Sequence, residues 1–215
     1  MKNILVIGST GQIGSELTMK LRRDLPGGVT VAGYIPGAEP KGKLLSTGPA
    51  EEANVCNAKQ LADIVDKYDI DTIYNLAALL SATAERKPLL AWDIQMNGLI
   101  NILEIAREKH CAVFTPSSIG AFGDSTPHDH TPQDTIMRPD TMYGICKVSG
   151  ELLSVTDRGA GASVSDALPF QSASAVTTAQ INHTAATGSQ FFFSFLSIFL
   201  SASLCSISYS TSFFS

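Results

Sequence analysis

Tyr143 and Lys147 stand four residues apart in a stretch of good helix formers, so on a helix their side chains leave one face a turn apart. Of the five tyrosines this is the only one followed by lysine at that spacing. A phenol that titrates near 10 is a poor base at neutral pH, and an ammonium held beside it favours the phenolate. The pair reads as a general base with its tuning cation, able to take a proton from a substrate hydroxyl. A solvated lysine on a helix surface gives the same spacing, so the reading depends on what else the chain brings to it.

Two further sets of residues give the pair a setting. Ser117-Ser118 follows the apolar run 111–114 and Pro116. If that run is a strand, Ser118 lies at the carboxyl edge of a sheet, where ligands of open α/β folds bind, and its hydroxyl can hold the same oxygen as Tyr143. A serine-rich turn is the plainer alternative. The second set is Gly8-Ser9-Thr10-Gly11-Gln12-Ile13-Gly14, between the apolar run 3–7 and a helical pattern over 12–23. There the first glycine permits a tight turn and the third lets helix and strand pack closely. The second lets backbone N–H groups, those of Gln12 and Ile13 among them, approach a pyrophosphate. The strand, turn, helix order favours a dinucleotide over a turn that binds nothing.

A dinucleotide site usually carries an acidic residue about 20 positions on, at the end of the second strand, for the adenosine ribose hydroxyls. Gly33 occupies that place, the next acid is Glu39, and no arginine comes directly after it to meet a 2′-phosphate. The cofactor is therefore read as NAD rather than NADP, held without its usual carboxylate, and aspartate installed at 33 is expected to tighten it. An oxidised nicotinamide ring would add a second positive charge near Tyr143, and Lys147 can also hold the nicotinamide ribose. Asn97 reads either as a polar residue buried for helix packing or as a proton relay beside Lys147.

The elements that must position these groups alternate. Runs 3–7, 29–32, 72–76 and 111–114 are apolar and of strand length; 12–23, 57–65, 89–107 and 143–153 carry helical periodicity. Asn57 with Gln60 three residues on marks a helix start, and the Gly- and Pro-rich stretch 36–49 reads as loop. The spacing predicts one long amphipathic helix over 89–107, with Leu89, Trp92, Met96, Leu99, Ile100, Leu103 and Ala106 on its buried face. Over 143–153 the apolar stripe is Ile145, Val148 and Leu152. Continuous apolar strands between helices predict an α/β fold, a doubly wound parallel sheet in order 3-2-1-4-5.

Taken together, Gly8/Gly11/Gly14, Leu76-Ala77-Ala78, Asn97, Ser118 and Tyr143/Lys147 occur in the order and spacing of the extended short-chain dehydrogenase/reductases, which this chain resembles. Within that superfamily three segments are similar to the L-threonine 3-dehydrogenases: Ala78-Leu79-Leu80-Ser81, Pro116 to Gly123, and Asp134 to Gly144. Sugar-nucleotide epimerases share the frame but usually have Val-Tyr-Gly where Ala121-Phe122-Gly123 stands. The resemblance implies a Rossmann domain over 1–153 and hydride transfer from C3 of L-threonine to NAD. It implies that Tyr143 takes the hydroxyl proton, Ser118 orients that hydroxyl, Lys147 tunes Tyr143 and holds ribose, and Ser81 lines the substrate pocket. It also implies that Leu76, Ala77, Ala78, Asn54 and Asn97 border the cofactor, and that the helices of Leu89 and Tyr143 pair across a homodimer. Three positions depart from the pattern: Gly33 for the ribose acid, Asn54 for an acid near adenine, and Ala84 for the glycine before Glu85.

All 15 basic and 20 acidic residues precede Ala167, and the net charge is −5. No basic stripe exists for a nucleic-acid backbone. The four cysteines are widely separated, which argues against a zinc site or a disulfide framework and for reduced cytoplasmic thiols. Residues 154–215 read as an atypical, low-complexity tail in which Ser alternates with Phe, Leu and Ile. Residues 191–209 are uncharged and about as long as a membrane span. The repeated serines, and the absence of flanking Lys or Arg, argue against a span. The resemblance ends near residue 153, so the chain reads as lacking the substrate-binding half and turnover by it alone is expected only at background. A dinucleotide-binding module without catalysis is the alternative from a different class.

Overall fold

The computed structural model describes residues 1–127, 130–132 and 134–156. The tail read from residue 154 onward, with its apolar stretch, lies past residue 156 outside the described residues. Among the described residues no helix is long and apolar enough to cross a membrane.

Five parallel strands form one sheet in the order β3-β2-β1-β4-β5. They are β1 (Asn3–Ile7), β2 (Val29–Tyr34), β3 (Ala50–Glu52), β4 (Thr72–Asn75) and β5 (Ala112–Phe114). The central strand explains the layering. Leu5 and Ile7 project into one apolar cluster with Leu61, Ile64 and Val65 of α3 (Ala58–Tyr68) and Ile102 and Ile105 of α6 (Gly98–Lys109). Ile4 and Val6 project to the other face, against Leu17 and Leu21 of α1 (Gln12–Asp24) and against Tyr74. A strand buried on both faces must be apolar throughout, which is why 3–7 is legible as a central strand. The fold is a Rossmann-like α/β sheet with helices on both sides, in the expected strand order.

Several expectations need correction. Within 36–49 a one-turn helix, α2 (Lys43–Ser46), seats Leu44 in the core. Asn57 does accept from Gln60 N at 3.1 Å, but the Gln60 side chain goes to Asn54 N and Glu52 instead of closing the box. The long helix is not uniform: α5 (Pro88–Trp92) and α6 are joined by a π turn over Asp93–Asn97. One extra residue in a turn rotates the helix before it by about 100° relative to the helix after it. Leu99, Leu103 and Ala106 are therefore buried as expected, while Leu89 and Trp92 face outward and Ala91 and Gln95 face in. Ile100 is exposed as well. In α7 (Met142–Thr156) the stripe is also outward, with Ile145 and Leu152 exposed, and Cys146 and Glu151 are buried instead. α7 packs on α4 (Ser81–Arg86), α5 and the π turn, so the Leu89 and Tyr143 helices do lie side by side.

Candidate active site

The carboxyl ends of β1, β4 and β5 carry the three segments that the sequence singles out. After β1 the chain turns at Gly8, whose φ of +80° a side chain rarely adopts. The turn is fastened from β2: the Gly33 carbonyl accepts from Gly8 N, Ser9 N and Ser9 Oγ at 3.1, 3.0 and 2.9 Å. A Cβ on Gly14 would lie 2.1 Å from Gly8 O, so helix and turn touch backbone to backbone. Ser15 N bonds to Gly11 O, which leaves the N–H groups of Gln12, Ile13 and Gly14 as the unpaired first turn of a helix with no acidic residue there. That is a cradle for an anion, shaped as a dinucleotide pyrophosphate requires. Leu76 borders it, with its backbone 3.1 Å from where a Gly8 Cβ would stand; Ala77 N is held by Asn75 Oδ1 at 3.2 Å, and Ala78 is exposed.

The catalytic candidates meet around Gly120. Ser118 caps the short 3₁₀ turn Ile119–Ala121 by accepting from Gly120 N at 3.2 Å. A Cβ on Gly120 would lie 3.2 Å from Tyr143 Cδ1 and 3.6 Å from Ser118 Oγ, so hydroxyl and ring flank one small gap. A Cβ on Gly144 would lie 1.9 Å from Gly120 O, and this contact presses the serine loop onto the first turn of α7. Met142 N, which starts that turn, donates to Glu85 Oε1 of α4 at 2.5 Å.

Behind Tyr143 the ammonium of Lys147 lies 5.5 Å from the phenol ring centroid and donates to Pro116 O at 2.9 Å. Burial of that ammonium pulls it down to about 8 from its ordinary 10.5, opposed by the Cys146 thiol and Glu151 carboxylate charges. Lys147 lines a cavity of about 20 Å³ with Asn75, Gln95, Ser117 and Glu151. Ser117 Oγ donates to the Glu151 carboxylate, and Gln95 Oε1 is buried with no partner.

Other expected site residues fall elsewhere. Asn97 is exposed and donates to Asp93 Oδ1 at 2.8 Å; the π turn brings Gln95 to Lys147 in its stead. Ser81 begins α4 and is exposed. Asn54 lies just after β3, its Oδ1 accepting from Cys56 N at 3.0 Å. Gly33 is not the end of β2, which runs on to Tyr34. A Cβ there would sit 2.9 Å from Ala53 Cβ and 3.0 Å from Val6 O, inside the sheet's packing. The strand's last residue is Tyr34, and a side chain at 33 would be directed against Ala53. Glu85, Gln95 and Glu151 are the polar residues of this region that sequence reasoning gave no role in holding it together.

Residues 4–165 match the sequence profile of the NAD dependent epimerase/dehydratase family. An uncharacterised epimerase/dehydratase of Staphylococcus haemolyticus is 50% identical over 153 residues, which are 71% of this chain and 48% of that protein. The solved L-threonine dehydrogenase of Clostridium difficile is 50% identical with a TM-score of 0.67, over 74% of this chain and 50% of that one. A UDP-glucose 4-epimerase of Thermotoga maritima, solved with UDP-glucose, is 25% identical with a TM-score of 0.66, over 73% and 51%. The chain spans about half the length of the curated relatives it matches.

Proposed function

This chain belongs to the NAD dependent epimerase/dehydratase family, and from that premise we propose that it carries the catalytic half of an NAD-dependent oxidoreductase acting on L-threonine. The observation that carries the reading is the convergence of Ser118 and Tyr143 on the gap at Gly120, with Lys147 behind the phenol. The 50% identity to an L-threonine dehydrogenase supports the substrate. Residues 1–153 are the dinucleotide-binding unit in this reading; the tail read from residue 154 onward lies, past residue 156, outside the described residues.

The cradle of Gly8, Gly11, Gln12, Ile13 and Gly14 holds the pyrophosphate, Leu76, Ala77 and Ala78 border the rest of the dinucleotide, and Lys147 holds the nicotinamide ribose. NAD, when bound, supplies the hydride acceptor. Ser118 Oγ donates to the threonine hydroxyl oxygen and fixes it against Tyr143. Tyr143 Oη takes the hydroxyl proton as the C3 hydrogen leaves, and the product is 2-amino-3-ketobutyrate. Lys147 favours the phenolate by its charge. Ser81 lies on the substrate side of the same edge. The outward Leu89, Trp92, Ile145 and Leu152 suit a second copy of the chain packed on α5 and α7, a homodimer. A reducing cytoplasm is the compartment proposed for it; Cys56, Cys111 and Cys146 are free.

The test has two parts. The full chain should bind NAD, read by isothermal titration. A chimera in which residues 1–153 replace the matching half of the Clostridium difficile enzyme should reduce NAD on addition of threonine. Tyr143→Phe in that chimera should keep NAD affinity and lose turnover by a factor of about 10² to 10⁴. Failure to bind NAD removes the cofactor reading, and turnover of UDP-glucose instead of threonine moves the chain to the epimerases.

A further inference from the structure

Tyr143, Lys147 and Glu151 recur at intervals of four along α7, so all three lie on one face of the helix. The last of them has no role so far. Glu151 is only 8% exposed, and a buried carboxylate is expensive unless it is hydrogen-bonded or faces a cation. Its hydrogen bond comes from Ser117, the neighbour of Ser118. The cation nearest along the helix is Lys147, which lines the same cavity. Among the described residues no direct ion pair includes Lys147, so the two charges face each other across the cavity rather than in contact.

That cavity takes polar groups from Asn75, Gln95, Ser117, Lys147 and Glu151, beside apolar lining from Leu99. Its volume of about 20 Å³ is enough for one water, and Gln95 Oε1 supplies a buried acceptor without a partner. We propose that Glu151 is the counter-ion of Lys147, the two coupled through a single buried water held also by Gln95 Oε1, and that this pairing keeps the lysine charged where it must support Tyr143. The last clause rests on the proposed oxidoreductase reading; the pairing itself does not. Glu151 is a positioning residue: it touches neither Tyr143 nor any substrate. Its carboxylate also anchors Ser117 and so ties the β5 loop to α7, which fixes Ser118 opposite Tyr143.

Of the other groups near Lys147, none that lines the cavity carries a negative charge at neutral pH, because burial holds the Cys146 thiol up. On α7 itself they are Tyr143 and the buried Cys146 thiol. From the elements packed on α7, α4 brings Glu85, bound to Met142 N, and the π turn brings Asp93, bound to Cys56 and Asn97; neither lines the cavity. Burial pulls Lys147 down, while Cys146 and Glu151 pull it up.

The experiment tracks the lysine directly in the full chain, by ¹³C NMR of ¹³Cε-labelled lysine, with the Lys147 signal assigned from its loss in Lys147→Met. Glu151→Gln keeps the shape and the bond from Ser117 but removes the charge. The Lys147 midpoint should then fall by about one to two pH units, a ten- to hundredfold loss of proton affinity, the scale of one unit charge a few ångströms off at an effective dielectric of about 20 to 40. Glu151→Asp, which keeps the charge, should restore most of it. An unchanged midpoint in Glu151→Gln overturns the pairing and leaves Glu151 as a tie for Ser117 alone. If Glu151→Gln does not fold, the double variant with Lys147→Met decides: a folded double variant supports an ammonium stranded by loss of its counter-ion, and an unfolded one overturns the proposal. Neither readout uses turnover, so the pairing and the oxidoreductase reading stand or fall separately.

Discussion

Replacing Lys147 with methionine should remove a pH dependence from the stability of the fold, and the size of the effect comes from one number. Burial holds Lys147 at about 8, against 10.5 for a free lysine. Between those values the unfolded chain binds a proton that the native chain has lost, so stability rises with pH through that window. Below pH 8 both states are protonated and the full cost of burying the ammonium is present. Integrated for one site, the wild type gains about 1.3 kcal/mol between pH 7 and pH 9 and about 2.5 kcal/mol by pH 10. Lys147→Met has no such site and should lose this part of the slope. The offset between the two proteins at one pH is a poorer measure, because methionine also deletes the bond to Pro116 O and leaves Glu151 facing no cation. The assay is urea unfolding at pH 7, 8 and 9 without cofactor. At a slope of about 2 kcal/mol per molar urea, the wild-type midpoint should climb about 0.7 M more than that of the variant. Parallel curves across the range would refute the argument and return Lys147 to a solvated, ordinary lysine.

Four other perturbations test separate parts of the site. Gly14→Ala should cost about 2–4 kcal/mol in urea unfolding and abolish NAD binding by titration, since the new Cβ would lie 2.1 Å from Gly8 O and must force the turn open. Gly33→Asp should destabilise by about 2 kcal/mol or more, with a Cβ 2.9 Å from Ala53 and a charge inside the sheet, and should not improve NAD affinity. Tyr34→Asp, at the true end of β2, should tighten NAD by about ten- to a hundredfold, the worth of a charge-assisted bond to ribose; unchanged affinity would place the ribose elsewhere. Glu85→Ala should lower stability by about 1 kcal/mol by uncapping Met142 N, and in the chimera it should lower turnover as the start of α7 frays beside Tyr143.

The parts of this molecule that sequence made legible are those in which one residue type serves one purpose. Ile4, Leu5, Val6 and Ile7 are apolar because both faces of β1 are covered, and no other structure asks for that run before a glycine turn. Tyr143 and Lys147 were legible as neighbours because a spacing of four puts both on one helix face. The parts that stayed hidden depend on a contact with no local signature. A four-residue helix such as α2 is too short to show a period. The π turn inserts one residue into a stretch whose composition suits an α-helix throughout, so Met96, Leu99, Leu103 and Ala106 were traced correctly to the buried face, while Leu89 and Trp92 before the turn, and Ile100 after it, were not. Gly33 reads as a strand end because glycine usually interrupts strands, whereas here its carbonyl anchors the turn and its missing side chain admits Ala53.

Gln95 and Glu151 show why the support of such a site is harder to read than the site. Both are polar residues in helical stretches, the commonest sign of a solvated face, and both are buried. In α7 a signal was available. Tyr143, Lys147 and Glu151 recur every four residues, and Ile145 and Leu152 fall off that row. Once Tyr143 and Lys147 are assigned to a site, the polar row must be the face turned toward the sheet edge. The apolar residues are then the ones left outward, where the structure has them exposed. Hydrophobic periodicity points the wrong way here because the face turned toward the sheet edge carries the polar row Tyr143, Lys147 and Glu151, while Ile145 and Leu152 are left exposed. A helix that carries catalytic residues on its inner face should therefore be phased from its chemistry before its hydrophobicity. Applied to residues 143–153, that rule assigns Glu151 to the interior from the sequence alone.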